Sequence, residues 1–198
     1  AIEAKEKIVI YSDYDCDGIP AAVILHDFFT KIGYENFSVY IPDRHDEGYG
    51  LHSDAIDTFI EQKINLLITF DLGITAVEEV AKAMASGIDV IITDHHLSQA
   101  EVPRAFAIIN PKQDGCEYPD KMLCGAGLAF KLVQALVKKY GEYWNIPVGF
   151  EKWLLDMAGL ATLADQVPLV NENRVLAYYG LKVLQKARRP GLAELFRK

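Results

Sequence analysis

The chain has 198 residues, of which 51% are hydrophobic and 24% are charged, and this balance indicates a folded globular protein rather than a disordered one. We expect no membrane anchor and no secretory signal, because no apolar run approaches the roughly 20 residues that span a bilayer. The formal net charge of −8 argues against a nucleic-acid ligand, unless bound cations offset part of the acidic surface.

Five short apolar segments predict β-strands in the first half of the chain. They are rich in Ile, Val and Phe, and they comprise residues 7–11, 37–41, 66–70, 90–93 and 106–109. The segments between them predict helices over residues 18–31, 53–62 and 75–85, with Ser53 as an N-cap and Thr75 with Glu78 as a capping box. Strands that alternate with helices indicate right-handed crossovers and a mainly parallel sheet covered by helices on both faces.

The alternation ends after about Lys112, and the rest of the chain is predicted to be helical. Helices are indicated over residues 127–140, 150–164 and 171–187 and from Pro190 onward, with the clearest break at residues 141–147. The predicted fold class is therefore α/β, with a five-stranded mainly parallel sheet followed by a C-terminal helical part. We expect residues 1–112 to form the sheet and residues 113–198 to pack on it within one domain.

Acidic and imidazole side chains follow three of the predicted strands at the point where each strand ends. Open parallel sheets bind ligands outside the carboxyl ends of their strands. We therefore expect these side chains to converge at one edge of the sheet if the three strands are neighbours. The first strand is followed by Asp13, Asp15 and Asp17, the third by Asp71, and the fourth by Asp94, His95 and His96.

The types of these residues predict a pair of divalent cations. Carboxylates with imidazoles and without thiolates suit Mn²⁺ or Mg²⁺ better than structural zinc. Several aspartates this close together would repel one another strongly unless cations neutralised them. Two ions about 3.5–4 Å apart can activate a water molecule and bind a phosphate for in-line attack. The pattern therefore favours metal-dependent phosphoryl chemistry.

Two other interpretations account for part of the acidic pattern. Residues 13–18 match the opening of an EF-hand calcium loop, but the twelfth position is Ile24 instead of a bidentate glutamate, and a β-like segment precedes the loop. Aspartates after strands also serve as helix caps and turn residues. That explanation is as good as a metal site for Asp71 alone, but it does not account for three acid-rich strand ends in one domain.

Sequence motifs along nearly the whole chain resemble the DHH phosphoesterases, which are named after the triplet at residues 94–96. Within that superfamily the chain is most similar to the RecJ single-stranded-DNA exonucleases, because the EGYGL segment separates RecJ from other branches. The supporting motifs are SDYDCDG at residues 12–18, EGYGL at 47–51, DLGIT at 71–75, CGAG at 124–127, ATLAD at 161–165, NENR at 171–174 and RPGL at 189–192.

The resemblance implies a set of ligands for two divalent cations, with Mn²⁺ preferred or Mg²⁺ in its place. Asp71 is expected to bridge the two ions, of which Asp15 and Asp17 bind one each. Asp94 is expected to be either a further ligand or a carboxylate that orients one. The full set of expected ligands is Asp13, Asp15, Asp17, Asp71, Asp94, His95 and Asp165.

The resemblance also implies which groups meet the substrate. His96 is expected to contact the scissile phosphate, and the guanidinium of Arg44 is expected to bind a phosphate. Gly125 and Gly127 lie at a helix start, where backbone N–H groups either bind a phosphate or belong to a tight turn with close helix packing. The expected catalytic residues are Asp71, His95 and His96.

One position departs from the family pattern, and at two others the local sequence does not distinguish a metal ligand from a surface acid. Many relatives carry a histidine where this chain has Tyr11, and we expect Asp13 or water to take its place. Without the family motif Asp156 and Asp165 would look alike, because each is an acidic residue in or beside the predicted helix 150–164. Only the motif selects Asp165.

The implied activity is metal-dependent hydrolysis of single-stranded DNA from the 5′ end, in DNA repair and recombination. The resemblance implies that a hydroxide activated by the two cations would attack the phosphorus, that the cations and His96 would stabilise the developing charge, and that a 5′-nucleotide would leave. The alternatives are short oligoribonucleotides, nucleotide bisphosphates, cyclic dinucleotides or pyrophosphate as substrates, and a non-catalytic replication scaffold. The implied partners are single-stranded DNA, single-strand-binding protein and other repair or replication proteins, without a membrane.

Three features lie outside these motifs. The cysteines at positions 16, 116 and 124 are odd in number and not closely paired, which indicates reduced thiols of a cytoplasmic protein. The chain starts at Ala1 rather than Met, and we expect it to be a fragment. Lys182, Lys186, Arg188 and Arg189 form a basic patch that contacts DNA, docks a further domain or is simply a solvated helix face.

Overall fold

The computed structural model describes residues 1–186 and 188–197 and contains a five-stranded sheet. All five predicted strands are confirmed, with ends that shift by no more than one residue. Their spatial order is β2-β1-β3-β4-β5, and every pair of neighbours runs parallel. The strands are β1 (Ile8–Ser12), β2 (Phe37–Tyr40), β3 (Leu66–Phe70), β4 (Asp89–Thr93) and β5 (Ala107–Ile109).

The register of the sheet places the ends of three neighbouring strands side by side. Ser12 at the end of β1 pairs with Phe70 at the end of β3, and Phe70 pairs in turn with Thr93 at the end of β4. The chain therefore leaves these strands at the same edge, as convergence of the acidic loops requires. The strand order reverses direction between β1 and β3, and ligands of such sheets bind in the crevice at that point.

Helices cover both faces of the sheet. Helix α1 (Gly18–Lys31) packs on one face, whereas α2 (Ser53–Glu61) and α3 (Val77–Ala85) pack on the other. Strand β1 is buried along its whole length because its side chains alternate between two apolar cores. Ile10 belongs to the core under α1, and Val9 belongs to the core under α2 and α3.

The C-terminal helices extend the core under α1, which includes Phe130 and Ala158. They are α4 (Gly125–Tyr140), α5 (Leu155–Ala164), α6 (Asn171–Leu184) and α7 (Pro190–Leu195), with a 3-10 helical turn at Phe150–Leu154 that leads directly into α5. The predicted helix over residues 150–164 is thus divided into two segments, and Ala187 lies outside the described residues. Within the described ranges, every helix is too short or too polar to span a bilayer.

Both predicted helix caps are wrong. Ser53 is the first residue of α2, and its N-cap is His52, which makes no side-chain cap. Helix α3 starts at Val77 with Ala76 as its N-cap, so no capping box forms from Thr75. The turn before α3 is held instead by Asp94, which follows β4. The backbone N–H of Ile74 donates to Asp94 Oδ2 at 2.9 Å.

Candidate metal centre

The predicted acidic and imidazole side chains converge at the carboxyl edge of the sheet. Ligand atoms from three overlapping groups of side chains lie within 4.8 Å of one another in each group. Asp71 and His95 each belong to two of the groups, so they stand at the centre of the arrangement. The groups are Asp13 with Asp15 and Asp71, Asp17 with His95 and Asp165, and Asp71 with His95 and His96.

The loop after β1 is tied to the start of α4 through Asp17. Oδ2 and Oδ1 of this buried carboxylate accept hydrogen bonds from the backbone N–H groups of Gly125 and Ala126 at 2.5 and 2.7 Å. The positive end of the α4 dipole stabilises negative charge at the same place. Asp15 stabilises the turn that leads into α1, because its Oδ1 accepts the N–H groups of Asp17 and Gly18 at 2.8 and 2.9 Å.

Asp71 lies at the centre of the site in a left-handed backbone conformation, with φ of 63°. The residue is 2% exposed, and its Oδ1 has no hydrogen-bond partner among the described residues. Burial raises the pKa of Asp71 well above its usual value, and the neighbouring charges of Asp17 and Asp15 raise it further. A buried, unpartnered carboxylate oxygen among other carboxylates fits the donor set of a divalent cation.

His95 presents one nitrogen to three carboxylates. Its Nε2 lies 3.0 Å from Asp71 Oδ1, outside hydrogen-bond geometry, and 3.5 Å from Asp17 Oδ2 and 3.9 Å from Asp165 Oδ2. Burial is the main cause that holds the pKa of His95 below its usual value, so the neutral ring is favoured. One neutral imidazole nitrogen cannot satisfy three carboxylates by hydrogen bonds, whereas all four groups can bind cations.

Asp94 is fully engaged with its neighbours in the structure. Its Oδ1 accepts the N–H groups of His95 and His96 at 2.7 and 3.1 Å and the Nδ1 of His96 at 2.7 Å. Burial raises the pKa of Asp94, but the bonds from His96 and the Ile74 N–H outweigh it, and the pKa lies below its usual value. Of the two roles left open by the sequence, this geometry favours a carboxylate that orients the loop.

His96 is oriented by Asp94 and remains partly accessible. The hydrogen bond from Nδ1 to Asp94 raises the pKa of His96, so the protonated ring is favoured. The side chain of His96 is 46% exposed, in contrast to the buried His95. A partly exposed imidazolium beside buried carboxylates can donate a hydrogen bond to an anionic ligand.

Asp165 reaches the site from the end of α5. The carboxylate is 27% exposed, and burial, followed by the charges of Asp17 and Asp15, raises its pKa to about 6. Asp156 at the start of the same helix points elsewhere, because its carboxylate binds the guanidinium of Arg189 at 2.7 and 3.1 Å. The structure thus separates two residues that the helical pattern alone could not.

Asp13 belongs to the site, whereas Tyr11 does not. Asp13 is 4% exposed, and its Oδ1 accepts the Tyr14 N–H at 2.8 Å, which leaves its other oxygen available beside Asp15. Tyr11 lies in the core under α2, where its hydroxyl donates to the carbonyl oxygen of Gly50 at 3.0 Å. The tyrosine at this position therefore serves packing.

Of three residues predicted to bind phosphate, Arg44 is exposed to solvent, whereas Gly125 and Gly127 are buried. Arg44 is exposed near Asp13, with its guanidinium carbon 4.5 Å from the centre of the Tyr14 ring. Gly125 already donates its N–H to Asp17, and a Cβ there would lie 2.8 Å from the Asp71 Cβ. A Cβ on buried Gly127 would meet Leu176 at 3.5 Å. The geometry therefore favours close packing for Gly125, whereas the 3.5 Å contact at Gly127 is an ordinary one and selects neither alternative.

Sequence reasoning missed three residues that border the site. The hydroxyl of Tyr49 donates to the Asp71 carbonyl at 3.3 Å, and its ring lies 6.2 Å from that of His96. Asn110 and Lys112 follow β5 at the same edge of the sheet. The rule that identified the acidic strand ends applies equally to β5, and a search for polar residues after every strand would have found the last two.

Comparison with known proteins agrees with this geometry. The sequence matches the profile "DHH family, N-terminal domain" over residues 7–162. It is 44% identical to the "Single-stranded-DNA-specific exonuclease RecJ" of Bacillus subtilis, over 100% of this chain and 24% of that protein. Identity to the exonuclease of the same name from Haemophilus influenzae is 37%, over 91% of this chain and 32% of the relative. The chain therefore spans about a quarter to a third of these relatives.

A solved structure with a related fold carries manganese. It is described as "Crystal structure of exonuclease RecJ bound to manganese", and it superposes with a TM-score of 0.85 at 31% sequence identity. The alignment covers 97% of this chain and 47% of that chain. The similarity therefore includes the sheet, the helical part and the edge at which the acidic residues meet.

Proposed function

Because the chain belongs to the DHH family, we propose that it is the catalytic part of a RecJ-like exonuclease that hydrolyses single-stranded DNA from its 5′ end. The observation that carries this proposal is the unpartnered buried oxygen of Asp71 among the aspartates of the carboxyl edge. Such a cluster is electrostatically unfavourable without cations, and the RecJ relative with manganese supports metal as the missing charge.

We propose that two divalent cations, preferably Mn²⁺ or otherwise Mg²⁺, bind between the strand ends. Asp13, Asp15 and Asp71 would hold one ion, and Asp17, His95 and Asp165 would hold the other, with Asp71 shared. When bound, such a pair lowers the pKa of water and offsets charge on a phosphate. Asp94 holds the His95-His96 loop rather than an ion, because it belongs to none of the three ligand groups and its Oδ1 accepts three hydrogen bonds from His95 and His96.

The protein groups around the cluster are suited to an anionic substrate. His96, with Nδ1 bonded to Asp94, can donate from its other ring nitrogen to an oxygen of the scissile phosphate. Arg44 stands near the same edge and offers a planar guanidinium to a second phosphate. Together these groups compensate locally for the net charge of −8, which otherwise opposes nucleic-acid binding.

Further expectations rest on the same proposal. We propose that residues 1–198 form one catalytic domain, because the core under α1 includes residues of the sheet and of the C-terminal helices. A cytoplasmic location and partners such as single-strand-binding protein or other repair and replication proteins also remain proposals. A single-stranded DNA substrate and the free cysteines favour the location.

The test is degradation of 5′-phosphorylated, 3′-labelled single-stranded DNA with Mn²⁺, Mg²⁺ or EDTA. We expect metal-dependent loss from the 5′ end by the intact chain and none by Asp71→Asn. Asp89→Asn is the matched control, because Asp89 is exposed at the opposite edge of the sheet and loses the same charge.

Two companion substrates distinguish the alternatives. Turnover of an RNA dinucleotide without turnover of DNA would assign the protein to a small-substrate branch of the family. No turnover together with no metal binding would contradict the proposal and favour the scaffold. Slow hydrolysis of duplex DNA relative to single-stranded DNA is expected from the strand specificity stated for the relatives.

A further inference from the structure

The end of β5 differs in charge from the three acidic strand ends. It carries Asn110, Pro111 and Lys112 where the others carry aspartates. The register Thr93↔Ile109 places the start of this segment level with Asp94, whose backbone N–H donates to the Ile109 carbonyl at 3.0 Å. A lysine therefore follows a strand that is hydrogen-bonded to the strand of the His95-His96 loop.

Asn110 fixes the backbone of Lys112 relative to His96. Its side chain is 2% exposed, and its Nδ2 donates to the His96 carbonyl at 2.9 Å. The Oδ1 of the same side chain accepts the backbone N–H of Lys112 at 2.8 Å. Two hydrogen bonds through one buried amide thus join the two residues and hold the backbone of Lys112 beside His96.

The ammonium of Lys112 has no partner of its own in the parts of the chain that the structure describes, since no ion pair or hydrogen bond involves it. The backbone of Lys112 lies beside the site, because Asn110 joins the N–H of Lys112 to the carbonyl of His96. A residue that only neutralised the acidic cluster would pair with one of its carboxylates. Lys112 is near the cluster and leaves its donors free.

We propose that Lys112 binds a backbone phosphate of the nucleic-acid strand next to His96, an inference that rests on the proposed function. A partly buried lysine with a fixed backbone and free donors suits a non-bridging phosphate oxygen as a point charge. The contact is independent of base sequence, as contacts to phosphate are. Lys112 is thus a substrate-binding residue on the β5 side of the site, across from Arg44 on the β2 side.

The test is the salt dependence of binding to a 5′-phosphorylated, hydrolysis-resistant phosphorothioate oligonucleotide in Mn²⁺, measured by fluorescence anisotropy. Each phosphate contact to a single strand contributes about 0.7 to the slope of log Kd against log salt. We expect Lys112→Met to lower this slope by about 0.7 and to weaken binding about tenfold at low salt. Lys112→Arg should retain the slope.

Two controls make the result specific. Lys138→Met removes the same charge from the exposed last turn of α4, far along the helix from the site, and should keep the wild-type slope. Mn²⁺ affinity should not weaken in Lys112→Met, because a positive charge is removed from the neighbourhood of the cations. Weakened Mn²⁺ binding would mean that the lysine supports the metal site, and it would overturn the proposal.

The inference and the proposed function fail in different ways. Equal slopes for Lys112→Met and the wild type would overturn the role of Lys112, even if the wild type hydrolyses DNA with Mn²⁺. If the wild type binds the phosphorothioate oligonucleotide but does not hydrolyse an ordinary phosphodiester one, the exonuclease proposal is contradicted. The slopes of log Kd against log salt for the wild type and Lys112→Met still decide the role of Lys112 in that case. Wild-type chain that fails to bind the oligonucleotide would overturn the inference.

Discussion

The two ends of α5 show opposite ways of placing an aspartate in a protein interior. Asp156 in the first turn is 5% exposed and receives two hydrogen bonds from Arg189, which also binds Asp27 at 2.8 Å. Asp165 at the other end faces Asp17 and the ring of His95, and its pKa is raised to about 6. One carboxylate is neutralised by the chain itself, and the other is placed among further carboxylates.

The comparison separates a paired buried acid from acids that lack a positively charged partner among the described residues. A buried carboxylate that serves the fold is paired, as Asp156 is with Arg189. At the carboxyl edge of the sheet no ion pair among the described residues joins a guanidinium to one of the aspartates, and the Asp71 Oδ1 is unpartnered. Unpaired carboxylates placed together lower the stability of the metal-free fold. Such a cluster is typical of a functional site, at which a ligand supplies positive charge. The site is therefore recognised both by its aspartates and by the lack of positively charged partners for them among the described residues.

The largest expected effect comes from Asp71→Asn, which removes the shared carboxylate and preserves its shape. We expect kcat/KM for single-stranded DNA to fall by at least about 10³-fold, because several kcal/mol of transition-state stabilisation are lost. The metal-free variant should be no less stable than the wild type, since the fold disfavours ionisation of Asp71 and asparagine is always neutral. A large loss of stability measured by urea denaturation would show that Asp71 is a structural residue like Asp156.

The opposite pattern is expected for Asp156→Asn. Asparagine removes the negative charge and keeps one acceptor oxygen, so Arg189 would keep Asp27 and at most one bond to the new side chain. We expect the unfolding free energy to fall by about 2 kcal/mol. Urea denaturation measures this loss, and calorimetry should still find the wild-type number of Mn²⁺ ions in the folded variant. Loss of metal binding with unchanged stability would remove the distinction between the two ends of α5.

Added metal should stabilise only the protein with an intact acidic edge. At a free Mn²⁺ concentration of 100 times the dissociation constant, a single site adds about 2.7 kcal/mol to the unfolding free energy. We expect a gain of this size in wild type and in Asp156→Asn, and a smaller one in Asp71→Asn. Urea denaturation with Mn²⁺ and with EDTA gives the difference, and equal gains in all three proteins would argue against binding at Asp71.

The smallest expected effect is a pH dependence without metal. The pKa of Asp165 is raised from 3.8 to about 6 in the folded chain, so its contribution to stability is present below the unfolded pKa and is lost as pH rises through the folded one. Relative to Asp165→Asn, the metal-free wild type should therefore lose stability between pH 3.8 and about 6. Mn²⁺ should abolish the difference in slope. A constant difference between the two proteins across this window would contradict the assigned cause.

Much of the fold and part of the site can be predicted from the sequence because both follow from strand ends. Apolar segments determine the five strands, and a parallel sheet brings their carboxyl ends to one edge, so Asp71 and the residues around it meet. Helix caps were predicted wrongly, because the turn before α3 is held by Asp94 from another strand. Local sequence patterns cannot predict a hydrogen bond between residues 20 positions apart.

The remaining features depend on contacts between distant segments. Asp17 caps α4 from 108 residues away, and this removes Gly125 from the groups available to a phosphate. Arg189 belongs to a predicted basic patch, yet it is bonded to Asp156 and Asp27 rather than solvated. Which acid on α5 is paired could be decided only once the position of Arg189 was known.

The central claim is that cations neutralise the acidic edge, and titration of the metal-free chain with Mn²⁺ by isothermal calorimetry tests it most directly. We predict two bound ions per chain for the wild type and for Asp156→Asn, and fewer for Asp71→Asn. Absence of Mn²⁺ binding by the folded wild type, or equal binding by Asp71→Asn, would contradict the claim.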